Sequence, residues 1–393
     1  MLMRSLTSCL LVLALSSRCC FAAEKRVFAH PSVMSTQRGL DELKRRVSSS
    51  APCGLGYEEL KQSPYADLTR PHTPYATVYV AASGGTAYEL AFRGDAQAAH
   101  AAALMWVITE DPGYRDKAMR ILDDWAATYA KIEVSKGGAN QAQLEAAWAV
   151  PIWIAAADII RYHDGGKSGW KPDRVAAFDR FLNRMVQTAR GARRNNNNWG
   201  TSATLAILAA AVYQEDEAAY AEALALYAQH LRDISKPSGA LGPDYLRDPW
   251  HPQYTLLTWI QACEIAWNQG DDLYSLKLDG QLQPRLAVCL EHFAKLFTGR
   301  LPNPEGLKKG DYRGSHKQRQ GYDMAFNHFI GRGGMGEAMP TFAALVPAWR
   351  PGGIDPHFAA WDTLTHGGLS AAEAGPAKPQ AQRPGAMNAG DGL

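Results

Sequence analysis

The stretch YRDKAMRILDDWAATYAKI, Tyr114–Ile132, places Ala118, Ile121, Leu122, Trp125 and Tyr129 at i, i+3, i+4, i+7 and i+11, with charged residues between them. That spacing predicts a helix with one apolar stripe. The pattern recurs on both sides. Gln97–Thr109 is Ala-rich, carries Trp106 and Ile108 on one side, and stops at Glu110-Asp111-Pro112-Gly113. Asn140–Tyr162 puts Leu144, Trp148, Ile152 and Ala155 on one stripe, and Pro172 stands at the favoured first position of a helix over Asp173–Ala189. Further helices are predicted over Thr201–Tyr213, Glu215–Ile234, Pro252–Asn268, Pro284–Phe297, Met335–Leu345 and Phe358–Thr365, and the best strand candidate is Ala76–Ala81. About ten helices on short loops, without a strict repeat of about 34 or 40 residues, predict an all-α fold. Its expected form is an incomplete (α/α) toroid or barrel of helix hairpins.

The ends of the 393-residue chain read differently. Arg4, the apolar run Cys9–Leu15 and the small-residue site at Cys20-Phe21-Ala22 predict a secretory signal over residues 1–22, too short to span a bilayer. The expectation is therefore a soluble, periplasmic or secreted protein that keeps no membrane contact after signal removal. The last 24 residues, from Ser370, hold 7 Ala, 4 Gly and 3 Pro and no aromatic, which predicts a disordered tail over 370–393. One toroid domain is left over residues 23–369.

Charge and cysteine usage exclude some classes. Lys+Arg number 41 and Asp+Glu 39, and without residues 1–22 the balance is zero. A nucleic-acid binder of this size carries a basic surplus, so no nucleic-acid partner is expected. Cys53, Cys263 and Cys289 remain after the signal, and the last two sit in apolar helical patterns, as small buried hydrophobes do. No CxxC or HExxH occurs, so neither a metal nor a cofactor is expected.

Two polar stretches depart from what helix packing needs. The first is Arg193-Arg194-Asn195-Asn196-Asn197-Asn198-Trp199-Gly200, directly before an apolar helix. Read as structure, it is a loop with Asn198 or Thr201 as N-cap. Read as chemistry, it offers amides, backbone N–H groups and a helix N-terminus to an anion, with arginines beside it and Trp199 as a face for a sugar ring. The second is Arg247-Asp248-Pro249-Trp250-His251-Pro252-Gln253-Tyr254. The prolines place a helix start near Pro252, which gathers Arg247, His251 and Tyr254 at one helix end. Its structural alternatives are a surface Arg247–Asp248 pair, a capping His and a half-buried Tyr.

These stretches resemble the alginate lyase domain of polysaccharide lyases of families 5 and 38, helical toroids that cleave uronate polymers by β-elimination. In that family an Asn-Asn-His turn precedes a helix, and an Arg stands seven residues ahead of a Tyr. Asn196-Asn197-Asn198 matches the turn, and Arg247 and Tyr254 keep the interval. The opening His30-Pro31 with Leu40–Lys44, and the run Ala101–Trp106 through Trp125, are also similar, so the resemblance spans about residues 28–330. No His follows the Asn pair here, which argues against a base from that turn; His251 is the nearest substitute.

The resemblance implies β-elimination on an acidic polysaccharide, with alginate (polymannuronate) expected first and glucuronan second. The residue types fit that chemistry. The C5 proton of a uronate is weakly acidic, and Asn197, Asn198 and Arg247 suit the neutralisation of the adjoining carboxylate. Tyr254, whose free pKa is about 10, needs help to act as base. Where C5–H and O4 share a side, as in mannuronate and glucuronate, one Tyr serves as base and acid. Guluronate needs a second group, such as His251. Trp199, Arg194 and Gln143 are candidate substrate contacts. So are Tyr312, Arg313 and His316, from the basic loop Lys308–Arg319 that is also readable as a plain solvated loop. Two other functions compete. A glycoside hydrolase would draw facing carboxyls from Asp111, Asp124, Glu145, Asp244 and Asp248; a non-catalytic sugar-binding helical protein would need none.

Overall fold

The computed structural model of the chain describes residues 26–369 apart from Ser50, Ser83, Asp279, Arg319 and Gln320. The expected signal (1–22) and tail (370–393) lie outside the described residues. Helices α1 (Gln37–Ser49) and α2 (Ala51–Gln62) lead into β1 (Thr77–Ala81), α3 (Ala87–Thr109), α4 (Pro112–Thr128), β2 (Lys131–Lys136), α5 (Gln141–Tyr162) and α6 (Pro172–Ala189). Then come α7 (Asn198–Tyr213), α8 (Glu217–Ile234), α9 (His251–Asn268), α10 (Arg285–Phe297), α11 (Tyr322–Phe326), α12 (Pro340–Trp349) and α13 (Asp362–His366).

Burial sorts the long helices into two rings. Every residue of Phe92–Ile108 in α3, Leu144–Ile160 in α5, Gly200–Tyr213 in α7 and Thr255–Ala266 in α9 is buried. A helix apolar on all sides belongs inside, and the many alanines of these four let their axes approach closely. In α4 only Lys117, Ala118, Ile121, Leu122, Trp125 and Ala126 are buried, one stripe that packs inward; α6 shows the same stripe through Phe178, Phe181, Leu182, Met185, Val186 and Ala189. Such helices form the outer ring.

The inner helices run parallel. Near their starts, Arg93 of α3 meets Glu145 of α5 (2.9 Å), Trp148 of α5 meets Tyr254 of α9 (ring centroids 5.2 Å), and Thr258 of α9 donates to Thr201 of α7 (2.9 Å). Near their ends, Trp106 meets His163 (5.4 Å) and Tyr162 donates to the Tyr213 carbonyl (3.3 Å). The outer helices return antiparallel through turns as short as Glu110-Asp111. Hence the connections that lead from an outer to an inner helix, 129–140, 190–197 and 235–250, gather on one face with the inner N-termini. The fold is the α/α toroid anticipated.

Several boundaries differ from the sequence reading. The helix predicted over Tyr114–Ile132 ends at Thr128, because Ile132 and Val134 alternate as a strand and pair in parallel with Val78 and Val80. Helix α3 begins ten residues earlier than predicted, where Thr86 and Glu89 form a reciprocal capping box. Helices α1, α2 and α11 were not anticipated. Met335–Leu345 becomes Pro340–Trp349, since Pro340 fits only a first turn, and Phe358–Thr365 shrinks to Asp362–His366 behind Trp361 in the left-handed region (φ 68°). The three described cysteines are free and buried.

Residues 355–361 form an irregular strap against the inner helices. Gln97 of α3 donates to the Phe358 carbonyl (2.6 Å), Gln261 of α9 to that of Ala359 (3.3 Å), and Trp361 meets His100 (5.6 Å). Beyond it, α13 docks on α1 and α2. Cys53 Sγ donates to the Leu364 carbonyl (3.2 Å), Arg46 to those of Thr365 (3.2 Å) and Gly367, and a Cβ on Gly56 would lie 2.4 Å from Leu364 N. Short α11 and α13 thus fill the sector between α9 and α2 and close the ring.

Asp362 opens α13, wholly enclosed, accepting from the backbone of Gly321 (3.0 Å) and Asp323 (2.8 Å). Burial first, then the neighbouring Asp323 charge, pushes its carboxyl up to about 7. Between the unfolded value of about 4 and that point the folded chain holds a proton that the unfolded chain has released. Stability from this group therefore falls as pH rises, by up to about 1.4 kcal/mol per unit. The stability advantage of the parent over Asp362→Asn should accordingly narrow between about pH 5 and 7. Thermal unfolding of both proteins measures it; a constant gap would contradict the assignment.

Candidate active site

The asparagine run is folded by its neighbours before it can do anything else. Arg190 (2.5 Å) and Arg193 (3.2 Å) both grip Glu222 of α8, which fixes the end of α6. The chain then turns, with Asn195 N donating to the Ala192 carbonyl (3.0 Å). Asn197, in extended geometry, is the N-cap of α7, its Oδ1 accepting from Trp199 N (3.0 Å). The cap is therefore one residue before Asn198 and four before Thr201, the two sequence candidates, and Asn198 is the first helical residue. Asn198 is buried, and its Oδ1 has no hydrogen-bond partner. Gly200 is required here: a Cβ would sit 1.9 Å from the Asn195 carbonyl oxygen. Trp199 is half-buried, and Arg194 is exposed. Gln143, in the first turn of α5, lies against Gly191, where a Cβ would stand 2.5 Å from its Nε2.

The second stretch is organised by Asp248. Its carboxylate accepts from the backbone of Trp250 (2.9 Å) and His251 (3.0 Å), and from His251 Nδ1 (2.8 Å). Burial opposes its charge, but the His251 hydrogen bonds outweigh burial and hold the carboxyl below its usual range. Arg247 stands 3.6 Å from the same carboxylate with its side chain 56% exposed. One aspartate thus caps α9, orients His251 with Nε2 directed away from it, and steers Arg247. Of the structural alternatives, the Arg247–Asp248 pair and the half-buried Tyr254 are present, whereas the capping role expected of His251 falls to Asp248.

Tyr254 is half-buried among Trp148 (5.2 Å), His357 (5.4 Å), Phe358 (5.9 Å) and His251 (6.0 Å). Helix α7 stands between α5 and α9 in the inner ring. The Trp148–Tyr254 contact therefore crosses the front of the α7 N-terminus. The Thr201–Thr258 bond lies one turn along both helices, which sets Asn197 and Asn198 level with Tyr254. The starts of α5, α7 and α9, which carry the amides, imidazole and phenol, thus lie at one end of the inner ring and form its mouth, with Arg247 in the loop that enters α9.

The basic loop after α10 reaches this mouth by its tip. Lys308 N donates to the Leu246 carbonyl (2.8 Å), Gly310 (φ 82°) abuts Pro249 and Trp250, and Lys309 Nζ lies 5.8 Å from the Trp250 ring centre. Tyr312 and His316 are corrections to the sequence reading. Tyr312 is wholly buried, donates to the Tyr245 carbonyl (2.7 Å) and packs on Phe293, and burial drives its phenol far above the ordinary value. His316 is buried between Phe297 (5.6 Å) and Trp349 (5.1 Å). Both anchor the loop and neither faces the mouth. Arg313 is exposed and folds over Gly299 at the end of α10.

Two neighbours of Tyr254 escaped the sequence reading. Trp148 read only as a stripe residue. His357 has the same Asp-Pro signature before it, Asp355-Pro356, that precedes His251 as Asp248-Pro249, and that repeat was the available signal. The carboxyls a hydrolase would need are dispersed or tied up. Asp111 caps α4, Asp124 holds His72 (2.7 Å), and Glu145 is buried on Arg93, with desolvation raising it to about 7. Among the described residues no cluster of His, Cys, Asp and Glu suited to a metal ion occurs.

A family described as Alginate lyase matches residues 43–291 by its sequence model. Solved structures share the fold. Alginate lyase A1-III from Sphingomonas species A1 is 16% identical, with 85% of this chain and 97% of that one covered at a TM-score of 0.59. An alginate lyase from Bacteroides ovatus is 14% identical, with 86% and 99% covered at 0.60. A histidine-to-alanine variant of A1-III, complexed with tetrasaccharide, is 16% identical, with 85% and 96% covered at 0.59. No curated protein matches the chain.

Gly200→Ala tests the turn directly. The added methyl must displace the Asn195–Asn197 backbone, at a cost of about 1–3 kcal/mol. Thermal unfolding should register that loss, and an unchanged midpoint would refute the close approach.

Proposed function

The chain belongs to the alginate lyase family and is a polysaccharide lyase, and we propose that it cleaves β-1,4-linked polymannuronate by same-side β-elimination with Tyr254 as base and acid. The observation that supports it is the Trp148–Tyr254 contact, together with the Thr201–Thr258 bond, at the end of the inner ring where Asn197 caps α7.

The chemistry follows from the groups at that mouth. Removing the C5 proton builds negative charge on a carboxylate that is already an anion. Amide donors from Asn197 and Asn198, and the exposed Arg247 guanidinium, offset that charge as it develops. Acting as phenolate, the Tyr254 oxygen takes the C5 proton, the C5–H electron pair becomes the C4=C5 bond, and the C4–O4 bond breaks. The same phenol then returns the proton to O4. Trp199 offers a sugar-stacking face, with Gln143, Arg194 and Arg313 as outer contacts, and Lys308 and Lys309 add cationic charge beside the Arg247 loop. Glucuronan presents the same C5–O4 relationship and is the second substrate; His251 is the group available for the opposite-side geometry of guluronate. Action outside the cytoplasm, in the periplasm or after secretion, fits the Arg4, Cys9–Leu15 and Cys20–Ala22 pattern.

Incubation with polymannuronate, polyguluronate and glucuronan should give unsaturated-uronate absorbance first on polymannuronate; silence on all three defeats the proposal. Tyr254→Phe should lower kcat by about 10³-fold or more at nearly constant KM, since proton transfer is lost while the ring stays. Lys309→Ala should act oppositely, raising KM several-fold at low salt and less at high salt, with kcat kept, because exposed charges are screened. Steady-state kinetics at two ionic strengths separates the two.

A further inference from the structure

Two aspartate-held histidines border Tyr254, and the second comes from the strap. Asp355 Oδ1 accepts from His357 Nδ1 (2.7 Å) and from His357 N (3.0 Å). The aspartate side chain is fully enclosed while the imidazole stays 19% exposed. The ring stands edge-on to Trp148 (4.4 Å, 70°) and to Tyr254 (5.4 Å, 75°). A carboxylate on Nδ1 fixes the proton there, leaves Nε2 as the basic nitrogen, and favours the imidazolium once Nε2 is protonated. The α7 turn presents Asn198 and Trp199 rather than an imidazole, so the histidines beside this phenol come from α9 and from the strap.

We infer that Asp355 and His357 form a proton-relay pair that positions and activates Tyr254, supplied by a segment beyond the residues that the family model matches. The inference rests on Tyr254 being the base. The Tyr254 O–H bond breaks, its proton goes to His357 Nε2, and the electron pair stays on the phenolate. That phenolate takes the C5 proton and delivers it to O4, which leaves phenolate and imidazolium as they were before the turnover. The titratable or charged groups around this centre are Asp355 on the strap; His251, Asp248 and Tyr254 from α9; and Glu145 of α5, one turn from Trp148, with Arg93 of α3.

Kinetics of the full chain on polymannuronate, with pH profiles for the parent, His357→Ala, His357→Gln, Asp355→Asn and Tyr254→Phe, tests it. His357→Ala should lower kcat by about 10²-fold or more with KM within about threefold, and added imidazole should restore part of the rate. In the parent, kcat rises with pH as His357 loses its proton. Asp355→Asn removes the charge that favours the imidazolium, so that limb should move to lower pH. His357→Gln, which keeps polarity and bulk, should be as slow as His357→Ala. If either His357 variant, folded with the parental unfolding midpoint, keeps kcat within about threefold and the limb unmoved, the relay is overturned. Should His357→Ala not fold, His357→Gln and the Asp355→Asn limb decide. An active Tyr254→Phe enzyme would instead remove the base reading, and the relay with it; a dead Tyr254→Phe beside normal His357 variants removes the relay alone.

Discussion

A helix that is buried on every side can meet polar ligands only at its ends. That constraint governs this toroid. Over Phe92–Ile108, Leu144–Ile160, Gly200–Tyr213 and Thr255–Ala266 the inner ring offers no wet surface, and its backbone is satisfied internally. Because these helices are parallel, their unsatisfied N–H groups and positive dipole ends open on a single face. The polar segments of the chain, the asparagine run and the Arg247–Tyr254 stretch, occur where the chain enters that face. An anionic polymer is the natural guest of such a surface, although the chain as a whole carries almost no net charge.

Charge at this face is distributed with a division of labour. Arg190 and Arg193 are consumed by Glu222, and Asp248 is shared among a helix cap, an imidazole and a guanidinium. Exposed basic residues remain there for an incoming carboxylate to meet, among them Arg194, Arg247, Lys308 and Lys309. The orphaned Asn198 Oδ1 and Trp148 Nε1 flank the same mouth.

What the sequence disclosed follows from how local each feature is. Amphipathic spacing in Tyr114–Tyr129 and the prolines at 172 and 252 are local signals, and they located most helices within a few residues. The Arg247–Tyr254 interval was likewise readable, because one helix start brings those groups together. Strand β2 was missed because Ile132 also continues the helical stripe of α4, and only pairing with Val78 makes it a strand. Tyr312 and His316 differ from the expectation because a basic loop needs buried anchors to hold its tip against Trp250, and nothing local distinguishes those anchors from wet residues. Trp148 and His357 could not be seen as one site with Tyr254, since 106 and 103 residues of chain separate them from it. Their meeting is a property of the ring.

The docking of α13 on α2 joins segments about three hundred residues apart, and the strap hangs directly from that joint. The seam is thus also the hinge-pin of the floor on which the Tyr254 ring rests. A toroid sprung open at this point would keep its inner helices, its asparagine cap and its arginine, and yet lose Phe358 and His357 from beneath the phenol together. Competence in this architecture belongs to the clasped ring; the helical wall by itself is an unfinished tool.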